Sequence, residues 1–330
     1  MAIIHVDQLS KDFKVPQKKE GLKNSIHFLF KKEFKNVNAV KNISFDIQEK
    51  EIVGLIGLNG AGKTTTLKML TGLIYPTEGS VEVLGFNPWE RKNDFLKNIG
   101  FLMGNKSQLW WDLPAIDSFY LEGEIYNIEK DILSQRIKKL TELLDVANLL
   151  NTPVRKLSLG ERMKMELVLV LLHKPKVLCL DEPTIGLDII SQKNIRKFLR
   201  DYRDDREATI IITSHNMKDI EEICNRIIII NEGKILYDDS LNKLKEKYDN
   251  ERIIIVKFLD EKFIEMVKSG RGIFDGKEFE VKSKNEIFLK AKDEEAMEIK
   301  KTLLKMPNVM EVSITSISLE DILSRLLQMN

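Results

Sequence analysis

Cysteine is scarce: Cys179 and Cys224 are the only two in 330 residues. Two lone thiols make neither a disulfide framework nor a metal-ligand pattern. That excludes a small stapled secreted scaffold and predicts buried free thiols in a reducing compartment. Long apolar runs are also missing. The longest, such as LVLVLL at 167–172, fall far short of the roughly 20 residues a bilayer-spanning helix needs. The opening stretch MAIIHVDQLSKDF has no charged segment leading into a long apolar core, so no secretory leader is expected. Nor is there an excess of one charge: 52 basic against 51 acidic side chains give a formal net charge of +1. This balance removes any global electrostatic case for a nucleic-acid or membrane-surface partner. What is present is 43% hydrophobic and 31% charged, over a chain long enough for one large domain and a smaller one.

Short apolar runs at 51–56 (EIVGLI), 177–180 (VLCL), 208–213 (ATIIIT) and 226–230 (RIIII) read as buried strands. Helical patterns follow at about 63–71, 158–173, 189–204 and 217–224. The alternation predicts an α/β fold, a largely parallel sheet with helices on its faces. Residues 112–156 read as wholly helical, an insert between sheet elements, so that a helical subdomain spans about 105–173. Residues 16–38 form a basic insertion with six lysines against two glutamates. Leu22, Ile26, Leu29, Phe30 and Phe34 give it an amphipathic helical pattern. It reads as a surface helix over its own domain, with contact to anionic lipid or a membrane subunit as the alternative. Composition shifts after about residue 240. Strands are expected at 252–258, 278–282, 286–291 and 308–315, with helices at about 260–268, 293–304 and from Ser318 to Leu327. Residues 1–240 and 241–330 are therefore expected as two domains, the second a small α+β unit for regulation or dimerisation.

Gly57 to Thr64, GLNGAGKT, fits G-x-x-x-x-G-K-[ST] between a predicted strand and a predicted helix. Its backbone amides, those of Gly60, Ala61, Gly62 and Lys63, suit a phosphate cradle at a helix N-terminus. Lys63 is expected on the β and γ phosphates, the Thr64 hydroxyl on Mg²⁺, and Thr65 near the α phosphate. VLCLDE at 177–182 delivers two carboxylates to the carboxyl edge of the sheet. Asp181 suits Mg²⁺ through water, and Glu182 suits the orientation of an attacking water. His215, after the run ATIIIT, is placed to hold the γ phosphate or Glu182 and its water. His5, His27 and His173 read as structural or exposed.

LSLGERMKMEL at 157–167 opens a helix with a capping box, Ser158 with Glu161. Gly160 in the first turn costs stability relative to alanine. A serine and a close-approach glycine at a helix tip make a second anion site. One nucleotide needs one phosphate loop, so this second site points to the nucleotide of another protomer. Two copies would then enclose two nucleotides.

These stretches, with the Gly186-Leu187-Asp188 turn, occur in the order of the ATP-binding cassette (ABC) ATPases, which residues 3–240 resemble. LTGLIYPTEGSVEVLGFNPW (70–89), SQLWWDLPAIDSF (107–119) and ISLEDI (317–322) resemble, more narrowly, the ATP-binding subunits of ABC-2 type exporters. The resemblance implies a P-loop NTPase cassette with a helical subdomain, and Mg²⁺-dependent ATP hydrolysis. It implies ATP on Gly57, Leu58, Asn59, Gly60, Ala61, Gly62, Lys63, Thr64 and Thr65. Ser158, Gly160 and Glu161 would act in trans as the signature, Asp188 as the D-loop residue, and Glu182 and His215 in catalysis. Implied partners are a second copy of the chain and a separate integral-membrane permease, with no nucleic acid. The implied location is cytoplasmic, on the inner face of the membrane through that permease.

The sequence departs from the family at three points. L-S-L-G-E stands for L-S-G-G-Q, and Glu161 is expected to turn back and cap Ser158. The family glutamine after a strand like IGFLM (99–103) has two candidates here, Asn105 and Gln108, either of which would serve Mg²⁺. The aromatic ring stacked on adenine is Phe13 or, across the insertion, Phe34, with Phe13 favoured. Trp110, Trp111 and Asp112 lie where a coupling surface is expected. A soluble ABC ATPase acting on ribosomes or DNA is the alternative. It usually carries two cassettes or a long coiled coil, whereas this chain has one phosphate loop and no sustained heptads. A regulator without turnover is disfavoured by the intact Glu182 and His215.

Overall fold

The computed structural model describes residues 2–16, 34–104, 106–206, 208–248, 250–260, 267 and 279–328. Two compact units divide it, Met1–Leu241 and Asn242–Asn330.

The first unit is built on β1 (Ala2–Pro16), β2 (Phe34–Gln48), β3 (Ile52–Ile56), α1 (Lys63–Leu70), β4 (Glu78–Val83) and β5 (Ile99–Met103). Then come α2 (Ala115–Ile125), α3 (Lys130–Leu143), α4 (Leu159–Leu171), β6 (Val177–Asp181) and α5 (Ile189–Arg206). β7 (Thr209–Thr213), α6 (Met217–Ile223), β8 (Arg226–Asn231) and β9 (Lys234–Ser240) complete it. Six strands form one sheet in the order β5-β6-β7-β3-β8-β9, parallel except for β9. Every residue of β3, β6 and β7 is buried, as expected of strands covered on both faces. Cys179 and Cys224 are buried free thiols, and burial pushes the Cys179 thiol up to about 12. A second, antiparallel sheet runs β2-β1-β4. Its buried face, with Ile4, Val6, Val40, Ile43, Phe45 and Ile47, shares one apolar core with Leu67, Met69 and Leu70 of α1 and with Val53, Leu55 and Ile228.

Two differences from the sequence reading have local causes. Residues 34–38 are strand, not part of a helical insertion: Phe34 pairs with Pro16 and Val37 with Phe13 in the β1–β2 hairpin. The rest of the insertion's helical pattern, with His27, falls at 17–33, outside the described residues. Residues 112–156 are not wholly helical. Asn127 and Asp145 take left-handed backbone conformations (φ 52° and 55°) and end α2 and α3. Ile128 N donates to Gly123 O and Val146 N to Thr141 O, the six-to-one bonds of a helix C-cap.

Glu122 lies half-buried on α2, and burial raises its carboxyl to about 7 from 4.5. A folded-state pKa above the unfolded one means that the folded chain binds the extra proton. The contribution is therefore complete below about pH 4.5 and lost as pH rises through about 7. Glu122→Gln is expected to match the wild type near pH 5 and to be more stable by about 1–2 kcal/mol at pH 8, after allowance for solvent screening. Paired thermal melts across this range check it, and a pH-independent difference would contradict it.

The second unit holds most of α7 (Leu241–Lys247), then β10 (Glu251–Phe258), β11 (Phe279–Ser283), β12 (Glu286–Lys292), α8 (Asp293–Leu303), β13 (Val309–Ser316) and α9 (Leu319–Gln328). Its antiparallel sheet runs β11-β12-β10-β13. Ile254, Val256, Phe258, Ile287, Leu289 and Val312 pack against Ala296, Ile299 and Leu303 of α8. Of the expected helix at about 260–268 only Asp260 and Val267 are among the described residues, and Val267 is buried in this core.

Candidate nucleotide site

The order of the sheet positions the site. β7 lies between β3 and β6, so the loops after all three emerge side by side at one edge. After β3 the chain turns through Gly57–Gly62 into α1, whose N-terminus carries no side-chain cap. Leu58, Asn59 and Gly60 are exposed. Gly62 has φ 111°, and a Cβ there would meet Ala39 O at 2.5 Å, so no larger residue fits this close approach to β2. Lys63 is buried, and its Nζ donates to Gly57 O (2.8 Å) and Leu58 O (3.1 Å). Burial lowers its ammonium pKa against the opposing fields of Glu182 and Asp181. The loop is thus drawn around its own lysine. Thr64 and Thr65 lie in the first turn of α1.

Asp181 ends β6, where its neighbour in register on β7 is Thr213. Thr64 Oγ1 donates to Asp181 Oδ2 (2.8 Å) and Thr213 Oγ1 to Asp181 Oδ1 (2.7 Å). Glu182 has a left-handed backbone (φ 54°), held by its N–H donating to Thr213 O and to Thr213 Oγ1. That turn aims the carboxylate at His215, with Glu182 Oε1 2.8 Å from His215 Nε2. Thr64, Asp181, Glu182 and His215 are therefore brought together around Lys63.

The helix tip at Ser158 carries the expected capping box. Glu161 N donates to Ser158 Oγ (3.3 Å), and Ser158 N and Oγ each donate to Glu161 Oε2 at 2.8 Å. Glu161 thus turns its charge back onto its own helix. Ser158, Gly160 and Glu161 line a cavity of about 510 Å³ with Gly186, Asp188 and Ser191. Asp188 Oδ1 accepts from Ile190 N and Ser191 N at the start of α5, and hydrogen bonds from Ser191 hold its carboxyl below the usual range. Leu159 has a structural reason to differ from glycine. Its Cδ2 lies over Gly186 (φ 70°), where an added Cβ would come within 2.3 Å. Gly160 is the opposite case. An added Cβ would meet Leu187 Cδ2 at 3.5 Å and Ser191 Oγ at 4.0 Å, ordinary contacts, so no described residue requires a glycine there.

Of the other candidates, Asn105 lies outside the described residues. Gln108 Nε2 donates to Phe101 O (2.7 Å), which ties the amide to β5. Phe13 is half-buried beneath Lys11, whose Nζ is 5.2 Å from the ring centroid. Its hairpin partner Val37 lies two residues from Ala39, which abuts Gly62. Phe34 is exposed and lies farther along the hairpin. His5 meets Asp46 at 2.5 Å on the antiparallel β2-β1-β4 sheet. His173 stacks on Tyr126 at 4.1 Å, and burial lowers it to about 4.

Sequence reasoning missed Glu166. Buried on α4, it accepts from Ser107 Oγ (2.5 Å), Gln108 N (3.0 Å) and Leu109 N (3.4 Å). It fastens the loop bearing Trp110 and Trp111, each more than half exposed, to the helix that Ser158 caps. A lone carboxylate in the apolar run MELVLVLL was the available signal.

A phosphate loop after one strand, an acid at the end of another and a histidine after the strand between them define a P-loop NTPase. A model of the ABC transporter family matches residues 40–185. The ABC transporter ATP-binding protein NatA of Bacillus subtilis is 32% identical over 244 residues, 74% of this chain and 96% of that one. The bacitracin transport ATP-binding protein BcrA of Bacillus licheniformis is 34% identical over 220 residues, 66% of this chain and 71% of that one. A solved dimeric structure of the ATP-binding cassette MJ0796, in a post-hydrolysis state bound to ADP and Pi, matches with a TM-score of 0.60. It is 21% identical, covering 72% of this chain and 98% of that one, and so speaks to the fold. The chain belongs to the ABC transporter family, as an ATP-binding ATPase subunit. Among the described residues no helix is long and apolar enough to cross a membrane.

Proposed function

We propose that the chain is the motor of an ABC-2 type exporter, closing on a second copy around two ATP molecules and driving a separate permease from the cytoplasmic face. The observation that carries this reading is the convergence of Lys63, Thr64, Asp181, Glu182 and His215 at one sheet edge. In this reading Gly57–Thr65 cradles the phosphates, Lys63 neutralises them, and Phe13 lies under adenine. Glu182 orients and deprotonates water while His215 holds Glu182. Ser158 and Gly160 close the partner's nucleotide, with Asp188 between the protomers. Among the described residues no group of three or more His, Cys, Asp or Glu side chains gathers to hold a metal unaided. The adjacent oxygens of Thr64 and Asp181 instead fit an ion that takes its other ligands from phosphate and water, as Mg²⁺ does. Asn105 or Gln108 would complete that set, Gln108 only on release of its amide from Phe101 O. Bound there, Mg²⁺ supplies charge neutralisation of the β and γ phosphates. The exposed Trp110 and Trp111 suit a permease contact, and the second unit suits regulation or dimerisation. Export and the ABC-2 class rest on the motif resemblance and on the bacitracin transport relative.

Gly160 separates this reading from simple helix capping. Gly160→Ala is expected to leave the melting temperature unchanged or raised, because alanine favours the helix by about 0.5–1 kcal/mol. ATP hydrolysis is expected to fall at least tenfold, because the methyl group meets the partner's nucleotide. Full activity in that variant would remove the in-trans role. The partner is tested by pull-down of tagged Glu182→Gln from detergent-solubilised membranes with and without ATP. A polytopic membrane protein that stimulates wild-type hydrolysis is the expected product. Ribosomal proteins or nucleic acid in its place would overturn the transporter assignment.

A further inference from the structure

Asp219 lies on α6, outside the motifs read from the sequence, and is fully buried. Its Oδ1 accepts from Arg196 Nη1 at 2.7 Å. Its Oδ2 accepts from Ser214 Oγ at 2.7 Å and also from Thr184 Oγ1. Arg196, Thr184 and Ser214 are buried as well. Thr184 is two residues beyond Glu182, and Ser214 immediately precedes His215. One carboxylate oxygen therefore ties the loop after β6 to the loop after β7.

A buried carboxylate needs a partner, and Arg196 alone meets that need. Convergence of two hydroxyls on the other oxygen does something further. It fixes the two loops against each other in a dry site, where such bonds are stronger than in water. We propose that Asp219 is a positioning residue for hydrolysis, setting the spacing of Glu182 and His215 through Thr184 and Ser214. This rests on the roles assigned above to Glu182 and His215. If Asp219 only glued α5 to α6, its bond to Arg196 would suffice, and the hydroxyls would be dispensable.

The test removes the hydroxyls and spares the ion pair. Thr184→Val and Ser214→Ala, singly and together, leave Arg196 and Asp219 in place. The full-length double variant is expected to keep the wild-type melting temperature within a few degrees and the KM for ATP within about twofold. Its kcat is expected to fall at least tenfold, the scale on which small misplacements act. A wild-type kcat in the double variant overturns the proposal. So does a loss of activity matched by an equal loss of folded protein. Glu182→Gln is measured in parallel. If it hydrolyses ATP within threefold of the wild type, the underlying site assignment falls, and the proposal with it. If it is inactive while the double variant is fully active, the role of Asp219 alone is overturned.

Discussion

Glu182→Gln is expected to hydrolyse ATP at least about 100-fold more slowly than the wild type, the order of magnitude that a positioned general base contributes. The amide keeps the shape of the carboxylate and can still accept from His215, which lies 2.8 Å away. Its backbone geometry is set elsewhere, by the two bonds from Glu182 N to Thr213. The substitution therefore removes basicity without moving the side chain. Nucleotide binding should survive, and an ATP-held dimer should accumulate, visible as a doubled mass in light scattering when ATP is present. Hydrolysis within threefold of wild type would show that another group activates the water.

Lys63→Met is expected to cost at least about 100-fold in ATP affinity. Hydrogen bonds to a charged group are worth about 1.5–3 kcal/mol each, and two of them to phosphate account for that factor. Lys63 is already desolvated, so its attraction for phosphate is weakly screened. Its ammonium is aimed along the phosphate loop by Gly57 O and Leu58 O. Methionine fills the same volume, so the fold should persist. Titration with a non-hydrolysable ATP analogue measures the affinity. The stabilisation that ATP is expected to give the wild type in thermal melts should vanish. Binding within threefold of wild type would contradict the placement of the phosphates.

Much of this arrangement is legible in the sequence. EIVGLI, VLCL, ATIIIT and RIIII are apolar on both faces and became β3, β6, β7 and β8. Glu161 was expected to cap Ser158 because both partners lie within one helical turn, and it does. The misreadings also have local reasons. Asn127 and Asp145 fit the apolar periodicity of a helix, yet both adopt the left-handed conformation that ends one. Phe34 fits a helical stripe, but hairpin pairing with Pro16 makes it strand. Glu166 and Asp219 resemble ordinary polar helix residues. Their importance depends on Ser107, Gln108, Thr184 and Ser214, which no local pattern links to them.

By itself the sequence determined which residues could do chemistry and how the chain turns at the phosphate loop and at the Ser158 cap. The glycines and lysine of the phosphate loop, the strand ending in Asp181 and Glu182, and the serine cap are set within a few residues. Capping, left-handed turns and alternation are short-range effects. Only the tertiary structure decided that β7 lies between β3 and β6, that Thr213 bridges Asp181 and Glu182, and that Asp219 joins Thr184 to Ser214. Strand order follows from how the whole core buries its apolar faces. A buried carboxylate acquires its partners only when that core closes around it.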